Sequence, residues 1–147
     1  MEIAVLALGC FWGPEIKFSK IEGVIKTEVG YCGGNSPTTT YEEVCTGNTN
    51  HAEVVKIDFD EKIISYKKIL NFFFEIHDST TLNSQGPDFG TQYRSEIFYV
   101  NDEQKTVAEE IKKKTNRKLS GKVVTNKSLV KNYCPAEEYH QRYLEKR

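Results

Sequence analysis

Hydrophobic and polar positions follow one another along the chain in blocks that predict alternating strands and helices. Residues 3–8 form a continuous apolar run that ends at Gly9, which is typical of a strand buried on both faces. Alternating positions predict further strands, and apolar side chains at helical spacing predict helices. The predicted strands are residues 3–8, 24–31, 54–59, 95–100 and 122–131. The predicted helices are residues 14–20, 41–45, 66–76, 102–119 and a terminal helix that opens at Pro135.

This order of elements predicts an α+β fold in which the helices pack on one mixed sheet. The alternative is a doubly wound parallel sheet. The strands after the first alternate, as expected of a sheet with one uncovered face, and no glycine-rich phosphate turn follows the first strand. At 147 residues the chain is expected to form a single domain, residues 1–147.

Composition narrows the expected partners. The chain has 20 Lys and Arg against 21 Asp and Glu, a net charge of −1, which gives no reason to expect nucleic acid or an anionic membrane surface. The first residues lack the basic flank and the length of a signal peptide, and no apolar run approaches the span of a bilayer. We therefore expect a cytoplasmic protein without a membrane anchor.

Cys10 lies where the first strand gives way to the first helix. Gly13 can serve as the N-cap and Pro14 as the first helical residue, which places Cys10 near a helix N-terminus. Free backbone N–H groups and the positive end of the helix dipole favour a thiolate there, so we expect a lowered pKa and a nucleophilic role. The alternative is a small buried side chain between strand and helix.

The four cysteines are spread along the chain, at Cys10, Cys32, Cys45 and Cys134. They form neither a CxxC pair nor the clustered spacing of a zinc site, so no metal is expected. Structural disulfides are disfavoured in a cytosolic chain of this size. Thiol chemistry or simple burial is therefore expected for each cysteine.

Several predicted loops carry polar groups that could converge on Cys10. Glu53 stands at the entry to the third strand, Tyr41 follows a threonine-rich loop, and Asp88 and Tyr93 close the long segment 78–92. An acid and two phenols can donate hydrogen bonds to an oxygen that gains negative charge, provided that an apolar site keeps the acid protonated. Phe11 and Trp12 could form that apolar wall.

A cysteine hydrolase is a competing interpretation. Cys10 could pair with His51, His77 or His140, and Asp78 beside His77 could orient the imidazole. This hypothesis requires a histidine within hydrogen-bond reach of the thiol.

Five segments in this order closely resemble the A-type peptide methionine sulfoxide reductases. They are residues 9–15, 31–34, 41–45 with 51–53, 85–95 and 135–141. The resemblance covers nearly the whole chain. It implies a ferredoxin-like two-layer sandwich, no metal or organic cofactor, and thiol-dependent reduction of the S epimer of methionine sulfoxide, free or in proteins. A monomer that is recycled by an external thiol of the thioredoxin or glutaredoxin type is expected. A module that binds oxidised methionine without turning it over is a third interpretation beside the reductase and the hydrolase.

The resemblance also implies roles for single residues. The cysteine matching Cys10 attacks the sulfoxide sulfur and becomes a sulfenic acid, and the aromatic residues matching Phe11 and Trp12 hold the methyl group. The groups that bind and protonate the oxygen, together with an acid in the same pocket, match Glu53, Tyr41, Tyr93 and Asp88. The three histidines are then expected to have structural roles.

Recycling is the point at which the chain departs from the family pattern. Many members carry recycling cysteines in a glycine-rich tail, whereas this sequence stops at Arg147. We therefore expect Cys134 to resolve the sulfenic acid, because it precedes a family motif near the chain end, with Cys32 beside two glycines as the second choice. Cys45 lies inside a predicted helix and would need local unfolding. The alternative is direct attack by an external thiol.

Overall fold

The computed structural model describes residues 1–146, which build one six-stranded sheet, a small two-stranded hairpin and four helices. The strands are β1 Glu2–Leu8, β2 Val24–Cys32, β3 Ala52–Phe59, β4 Ser84–Gln85, β5 Asp88–Phe89, β6 Ser95–Tyr99, β7 Asn126–Leu129 and β8 Cys134–Pro135. The helices are α1 Trp12–Ser19, α2 Tyr41–Cys45, α3 Tyr66–Glu75 and α4 Asp102–Lys118, with 3-10 turns at Thr91–Tyr93 and Glu138–His140.

The large sheet has the strand order β7-β6-β1-β3-β2-β8. Its pairs are antiparallel except for β6 and β7, which run parallel, so the predicted mixed α+β architecture is confirmed as a mostly antiparallel sheet with helices. Strand β1 lies inside the sheet, where Leu6 is paired with Val55 of β3 and with Ile97 of β6. The first strand therefore has a hydrogen-bonded neighbour on each side.

Both faces of β1 are buried, as its continuous apolar run predicts. Ala4, Leu6 and Leu8 face the core that the helices cover. Val5 and Ala7 point to the opposite face, into a second cluster with Cys32, Ala52, Val54 and Phe98. Because neighbouring strand residues point to opposite faces, two separate coverings are needed, and the segment near Val130 and Tyr133 supplies the second one.

The amphipathic helices follow their caps. Ser65 accepts the N–H of Lys68 to begin α3, and Asn101 accepts that of Gln104 to begin α4. Ile69 and Phe73 of α3 are fully buried, on the apolar stripe that the helical spacing predicts. No helix among residues 1–146 is long and apolar enough to cross a membrane.

The first helix begins earlier than predicted. It starts at Trp12 with Phe11 as its N-cap, rather than at Pro14 with Gly13 as its N-cap, and no side chain caps its first turn. Phe11 already has helical backbone angles, and the Glu15 N–H bonds to its carbonyl. Pro14 therefore lies within the first turn, where proline is still tolerated because that N–H has no partner inside the helix.

The predicted terminal helix from Pro135 is wrong. Cys134 and Pro135 instead add the short strand β8 to the edge of β2, and Glu138–His140 forms a single 3-10 turn. The side chain of Gln141 accepts the N–H of Val29 at 2.9 Å and donates to its carbonyl at 2.9 Å. Satisfying the exposed edge of β2 outweighs the local helical preference of this segment.

The predicted strand 122–131 shrinks to four residues, Asn126–Leu129. The segment 78–92, predicted as a loop, contains the hairpin of β4 and β5 and leads into the 3-10 turn Thr91–Tyr93. Gln85 fixes the start of this segment. The Gln85 side chain accepts the Asp78 N–H and donates to the Asp78 carbonyl, each at 2.8 Å. This segment is therefore ordered by its own polar side chains.

Glu15 fastens the C-terminal segment to α1 and β2. Its carboxyl group is 2% exposed and accepts hydrogen bonds from the Thr27 hydroxyl at 3.0 Å and the Arg142 N–H at 2.7 Å. Buried donors that lose their acceptor cost about 1–3 kcal/mol. The carboxylate of Glu15, the last residue of segment 9–15, therefore has a structural role.

We expect Glu15→Ala to lower the free energy of unfolding by about 2–3 kcal/mol, because both donors lose their acceptor. Glu15→Gln should lose less, since its amide oxygen still accepts one bond. Urea unfolding followed by circular dichroism measures both, and the exposed Glu22→Ala is the matched control, expected within about 0.5 kcal/mol of wild type. A Glu15→Ala protein as stable as wild type would contradict this assignment.

Candidate active site

Cys10 lies in the turn between β1 and α1, half-buried beneath the hairpin segment. Gly9 makes this turn possible, because its φ of +96° lies in the left-handed region. A Cβ atom at Gly9 would also lie 2.8 Å from the side chain of Gln85. The close approach of Gln85 to this turn therefore requires glycine at position 9.

Burial raises the pKa of the Cys10 thiol to about 11. The backbone N–H of Trp12 acts in the opposite direction, and the nearby carboxyl groups of Glu53 and Asp88 raise the pKa further. The prediction that the helix dipole lowers this pKa is therefore wrong for the resting site. The helix is only eight residues long, and loss of water around the thiol outweighs its N-terminal N–H groups.

Glu53 is the buried acid of the site. It lies at the start of β3, is 1% exposed, and accepts the backbone N–H of Phe11 at 3.2 Å. Burial raises the pKa of Glu53 to about 8, the Phe11 N–H lowers it, and the charge of Asp88 raises it. The carboxyl group is thus mostly protonated at neutral pH, in the form that can donate a hydrogen bond.

Two phenols come to the same place from different segments. Tyr41 begins α2, and burial raises its pKa above the ordinary value. Tyr93 ends the 3-10 turn after the hairpin, and burial raises its pKa to about 12, helped by the charges of Glu53, Cys45, Asp88 and Cys10. Tyr93 therefore lies within electrostatic range of the predicted nucleophile and both predicted acids.

Phe11 and Trp12 form an aromatic wall together with the C-terminal segment. Phe11 is fully buried, with its ring 5.8 Å from that of Tyr31. Trp12 stacks on Tyr143 at 3.9 Å between ring centroids and donates its indole N–H to His140 at 3.0 Å. Because Phe11 packs against Tyr31 and Trp12 against Tyr143 and His140, neither ring is free to move and the wall is rigid.

His140 is a member of this cluster that sequence reasoning left in a structural role. Its ring lies 5.2 Å from Phe11, 5.7 Å from Trp12 and 4.5 Å from Tyr41, measured between ring centroids. Its Nδ1 accepts from Trp12, and burial lowers its pKa, so it stays neutral. In the sequence, only its place in the 135–141 motif pointed to His140. Its contacts with Phe11, Trp12 and Tyr41 could be seen only in the folded structure.

The histidines do not support the cysteine hydrolase interpretation. His77 bonds to the Phe73 carbonyl at 2.6 Å and to the Ser95 hydroxyl at 2.7 Å, and burial lowers its pKa to about 4. His51 bonds to the Ser36 carbonyl at 2.9 Å. Among residues 1–146 no hydrogen bond joins a histidine to Cys10: His140 accepts the Trp12 indole N–H at Nδ1, and its Nε2 is buried without a hydrogen-bond partner.

The remaining cysteines are reduced and lie in three different surroundings. Cys32 is fully buried, and its thiol donates to the Lys131 carbonyl at 3.3 Å. Cys134 is half-buried on β8, with its sulfur 3.7 Å from the Thr39 carbonyl. Cys45 is exposed at the end of α2, beside Tyr41.

These features are typical of a thiol enzyme. The half-buried Cys10 interacts electrostatically with the protonated carboxyl group of Glu53 and with Tyr93, and Tyr41 interacts with both of these groups. Comparison with known proteins agrees. The family model for peptide methionine sulfoxide reductase matches residues 2–147. A peptide methionine sulfoxide reductase MsrA of Pelagibacter ubique is 83% identical over 147 residues and covers 100% of both chains.

Solved structures give the same result. The reduced form of Mxr1 from Saccharomyces cerevisiae is 42% identical with a TM-score of 0.92, covering 99% of this chain and 84% of that one. Mxr1 in complex with Trx2 is 28% identical with a TM-score of 0.68, covering 97% and 84%. The chain belongs to the peptide methionine sulfoxide reductase family. It is an oxidoreductase that reduces methionine sulfoxide with thiols.

The electrostatics of the site predict how Cys10 reacts with iodoacetamide. In the folded protein the labelling rate should rise with a midpoint above the ordinary cysteine pKa, because burial and neighbouring carboxyl groups disfavour the thiolate. Glu53→Gln should lower that midpoint, since it removes one of the negative charges. Labelling across a pH series, quantified at Cys10 by peptide mass spectrometry, measures both.

The matched control is the same protein unfolded in urea, in which Cys10 should titrate like a free cysteine. A folded-state midpoint below the unfolded one would show that the helix N-terminus outweighs burial and would contradict this account.

Proposed function

We propose that the chain reduces the S epimer of methionine sulfoxide, free or within proteins, through Cys10, Glu53, Tyr41 and Tyr93. The observation that carries the assignment is the buried, protonated Glu53 within electrostatic range of the Cys10 thiol. A neutral acid at this place suits a substrate whose oxygen becomes negative as its sulfur is attacked. A carboxylate would repel that oxygen.

The proposed first step forms a bond between the Cys10 sulfur and the sulfoxide sulfur while Glu53 protonates the sulfoxide oxygen. Cys10 starts as a thiol, so its proton passes to Glu53 and replaces the one that the oxygen has taken. The hydroxyl group then moves to the Cys10 sulfur as the bond to the substrate sulfur breaks. Methionine leaves and Cys10 remains as a sulfenic acid, with no net gain or loss of protons.

The phenols of Tyr41 and Tyr93 are proposed to donate hydrogen bonds to the same oxygen. Their raised pKa values keep both hydroxyls protonated, so that they act as donors at physiological pH. The Phe11 and Trp12 wall is proposed to hold the methyl group of the substrate by apolar contact. Asp88 is proposed to line the same pocket, where its charge raises the pKa values of Cys10 and Glu53.

An external dithiol protein of the thioredoxin type is the proposed reductant. Mxr1 has been solved in complex with Trx2, and the present chain shares that fold. We further propose that the four central strands, with α1 between β1 and β2 and α3 between β3 and β6, form a ferredoxin-like two-layer sandwich, because their order is β6-β1-β3-β2. A cytoplasmic monomer is proposed on composition and on these relatives.

The direct test separates the methionine sulfoxide epimers and incubates each with the protein and dithiothreitol. We expect methionine from the S epimer alone, and none from either epimer with Cys10→Ser, because the attacking sulfur is gone. Cys32→Ser is the matched control: it also removes one thiol but lies in the other core cluster, and it should keep its activity. Binding without turnover by wild type would indicate the binding-module interpretation instead.

Glu53→Gln tests the acid. The amide keeps one hydrogen-bond donor but cannot give up a proton, so we expect single-turnover methionine formation to slow by about 10²–10⁴-fold. In wild type the protonated fraction of Glu53 falls as pH rises through about 8, and the ratio of the wild-type rate to the Glu53→Gln rate should therefore shrink above that pH. Quench-flow measurement over a pH series shows whether it does. An unchanged rate in Glu53→Gln would remove Glu53 from the mechanism.

A further inference from the structure

The proposed function leaves Cys10 as a sulfenic acid, which must meet a thiol before the next turnover. Three other cysteines lie within the chain, and the structure separates them by their place relative to the sheet. A disulfide needs the two Cα atoms within about 4.4–6.8 Å, so the face on which each thiol lies and the freedom of its segment decide between them.

Cys32 lies on the wrong face of the sheet. It is paired with Ala52, and both belong to the cluster that contains Val5 and Ala7. Glu53, the next residue after Ala52, points to the opposite face, which is the face of Cys10. The sheet itself therefore stands between the Cys32 and Cys10 sulfurs.

Cys134 lies on the same face as Cys10 but behind other groups. Its pairing partner on the neighbouring strand β2 is Tyr31, and residues directly opposite each other on paired strands have side chains on the same face of the sheet. Tyr31 is fully buried, packs against Phe11, and donates its hydroxyl to Glu137 at 2.8 Å. The route from Cys134 to Cys10 therefore runs through a packed and hydrogen-bonded tyrosine.

Cys45 lies beside the phenols of the site. Tyr41 and Cys45 are four residues apart in α2, so their side chains lie on one face of that helix, and the two side chains interact. The charge of Cys45 acts on Tyr93, as does that of Cys10, and the charge of Glu53 acts on Cys45. Cys45 and Cys10 thus flank the same acid and phenols.

The segment that carries Cys45 is also the one most easily released. Cys45 is the last residue of a five-residue helix, and the end of the helix is closed by the Thr46 N–H to the Glu43 carbonyl and the Gly47 N–H to the Val44 carbonyl. Helices this short are barely stable alone. Opening the end breaks those two bonds, the bond from the Thr46 hydroxyl to the Glu43 carbonyl at 2.6 Å and the Tyr41–Cys45 contact, while Val44 stays buried in the core.

The beginning of α2 is held independently. The Tyr41 N–H donates to the Glu137 carboxyl at 2.8 Å, and the Thr40 hydroxyl caps the Glu43 N–H at 3.2 Å. Gly47, at a φ of +78°, has open space around it. The end of α2 can therefore swing while its start remains docked against the C-terminal segment.

From this arrangement we propose that Cys45 is the resolving thiol, and that it closes a Cys10–Cys45 disulfide during each turnover. The Cys45 sulfur forms a bond to the Cys10 sulfur as the Cys10 sulfur–oxygen bond breaks. The hydroxyl group leaves with the Cys45 proton as water, so no further oxidant is needed. The disulfide then takes two electrons from the external dithiol that the proposed function already requires.

The test treats the fully reduced wild-type protein, without any reductant, with one equivalent of the S epimer of methionine sulfoxide. Methionine released, free thiols remaining and disulfide-linked peptides are measured on the same sample. We expect one methionine per protein, the loss of two thiols and a peptide that joins Cys10 to Cys45. A Cys10–Cys134 or Cys10–Cys32 peptide, or the loss of a single thiol, would overturn the proposal while leaving the proposed function intact. Release of no methionine would overturn both.

Cysteine variants sharpen the result. Cys45→Ser should lose one thiol and leave a Cys10 sulfenic acid that a 1,3-dicarbonyl probe traps, whereas wild type should show little of that adduct. Cys134→Ser is the matched control on the same face of the sheet, and it should lose two thiols as wild type does. Trapping of equal amounts of sulfenic acid in wild type and Cys45→Ser would contradict the role of Cys45.

Discussion

The hydrogen bond from the Phe11 backbone N–H to the Glu53 carboxyl group joins the sheet to the first helix, and the rest of the site depends on it. It fixes the start of α1 against β3 and so sets where Cys10 stands. Burial is the largest effect raising the pKa values of Cys10 and Glu53. The charge of Asp88 raises both further and the charge of Glu53 raises that of Cys10, so the resting thiol and the Glu53 carboxyl group keep their protons. The position of the site follows from this contact, whereas its protonation state follows from burial, which outweighs the pKa-lowering effect of the Phe11 N–H on Glu53.

Beyond the short strand β8 and the 3-10 turn Glu138–His140, buried side chains rather than backbone pairing hold the C-terminal segment against the site. Glu15 holds the Arg142 N–H, Gln141 pairs with both backbone groups of Val29, and Glu137 bridges the Tyr31 hydroxyl and the Tyr41 N–H. The Trp12 indole and the His140 ring meet as a consequence of this fastening. The rigidity of the aromatic wall therefore depends on these polar contacts.

The sequence predicted those features that local pattern controls. The unbroken apolar run of β1 predicted burial on both faces, and the change from strand to helix placed Cys10 in a turn. It failed where distant parts of the chain decide the outcome. Pro135 and the acidic residues after it favour a helix locally, but the edge of β2 captures the segment. The pKa of Cys10 likewise depends on burial that no local pattern reports. The choice of the resolving thiol among Cys32, Cys45 and Cys134 required knowing on which face of the sheet each side chain lies.

Helix α2 carries both a phenol proposed to bind the substrate oxygen and the thiol proposed to recycle the enzyme. Tyr41 and Cys45 interact through their side chains while α2 is intact, and movement of Cys45 toward Cys10 must break that interaction. Oxygen binding and disulfide formation therefore require different states of one short helix. Because Cys10 becomes a sulfenic acid only when the sulfoxide is reduced, the proposed movement of Cys45 away from Tyr41 follows reduction and precedes recycling.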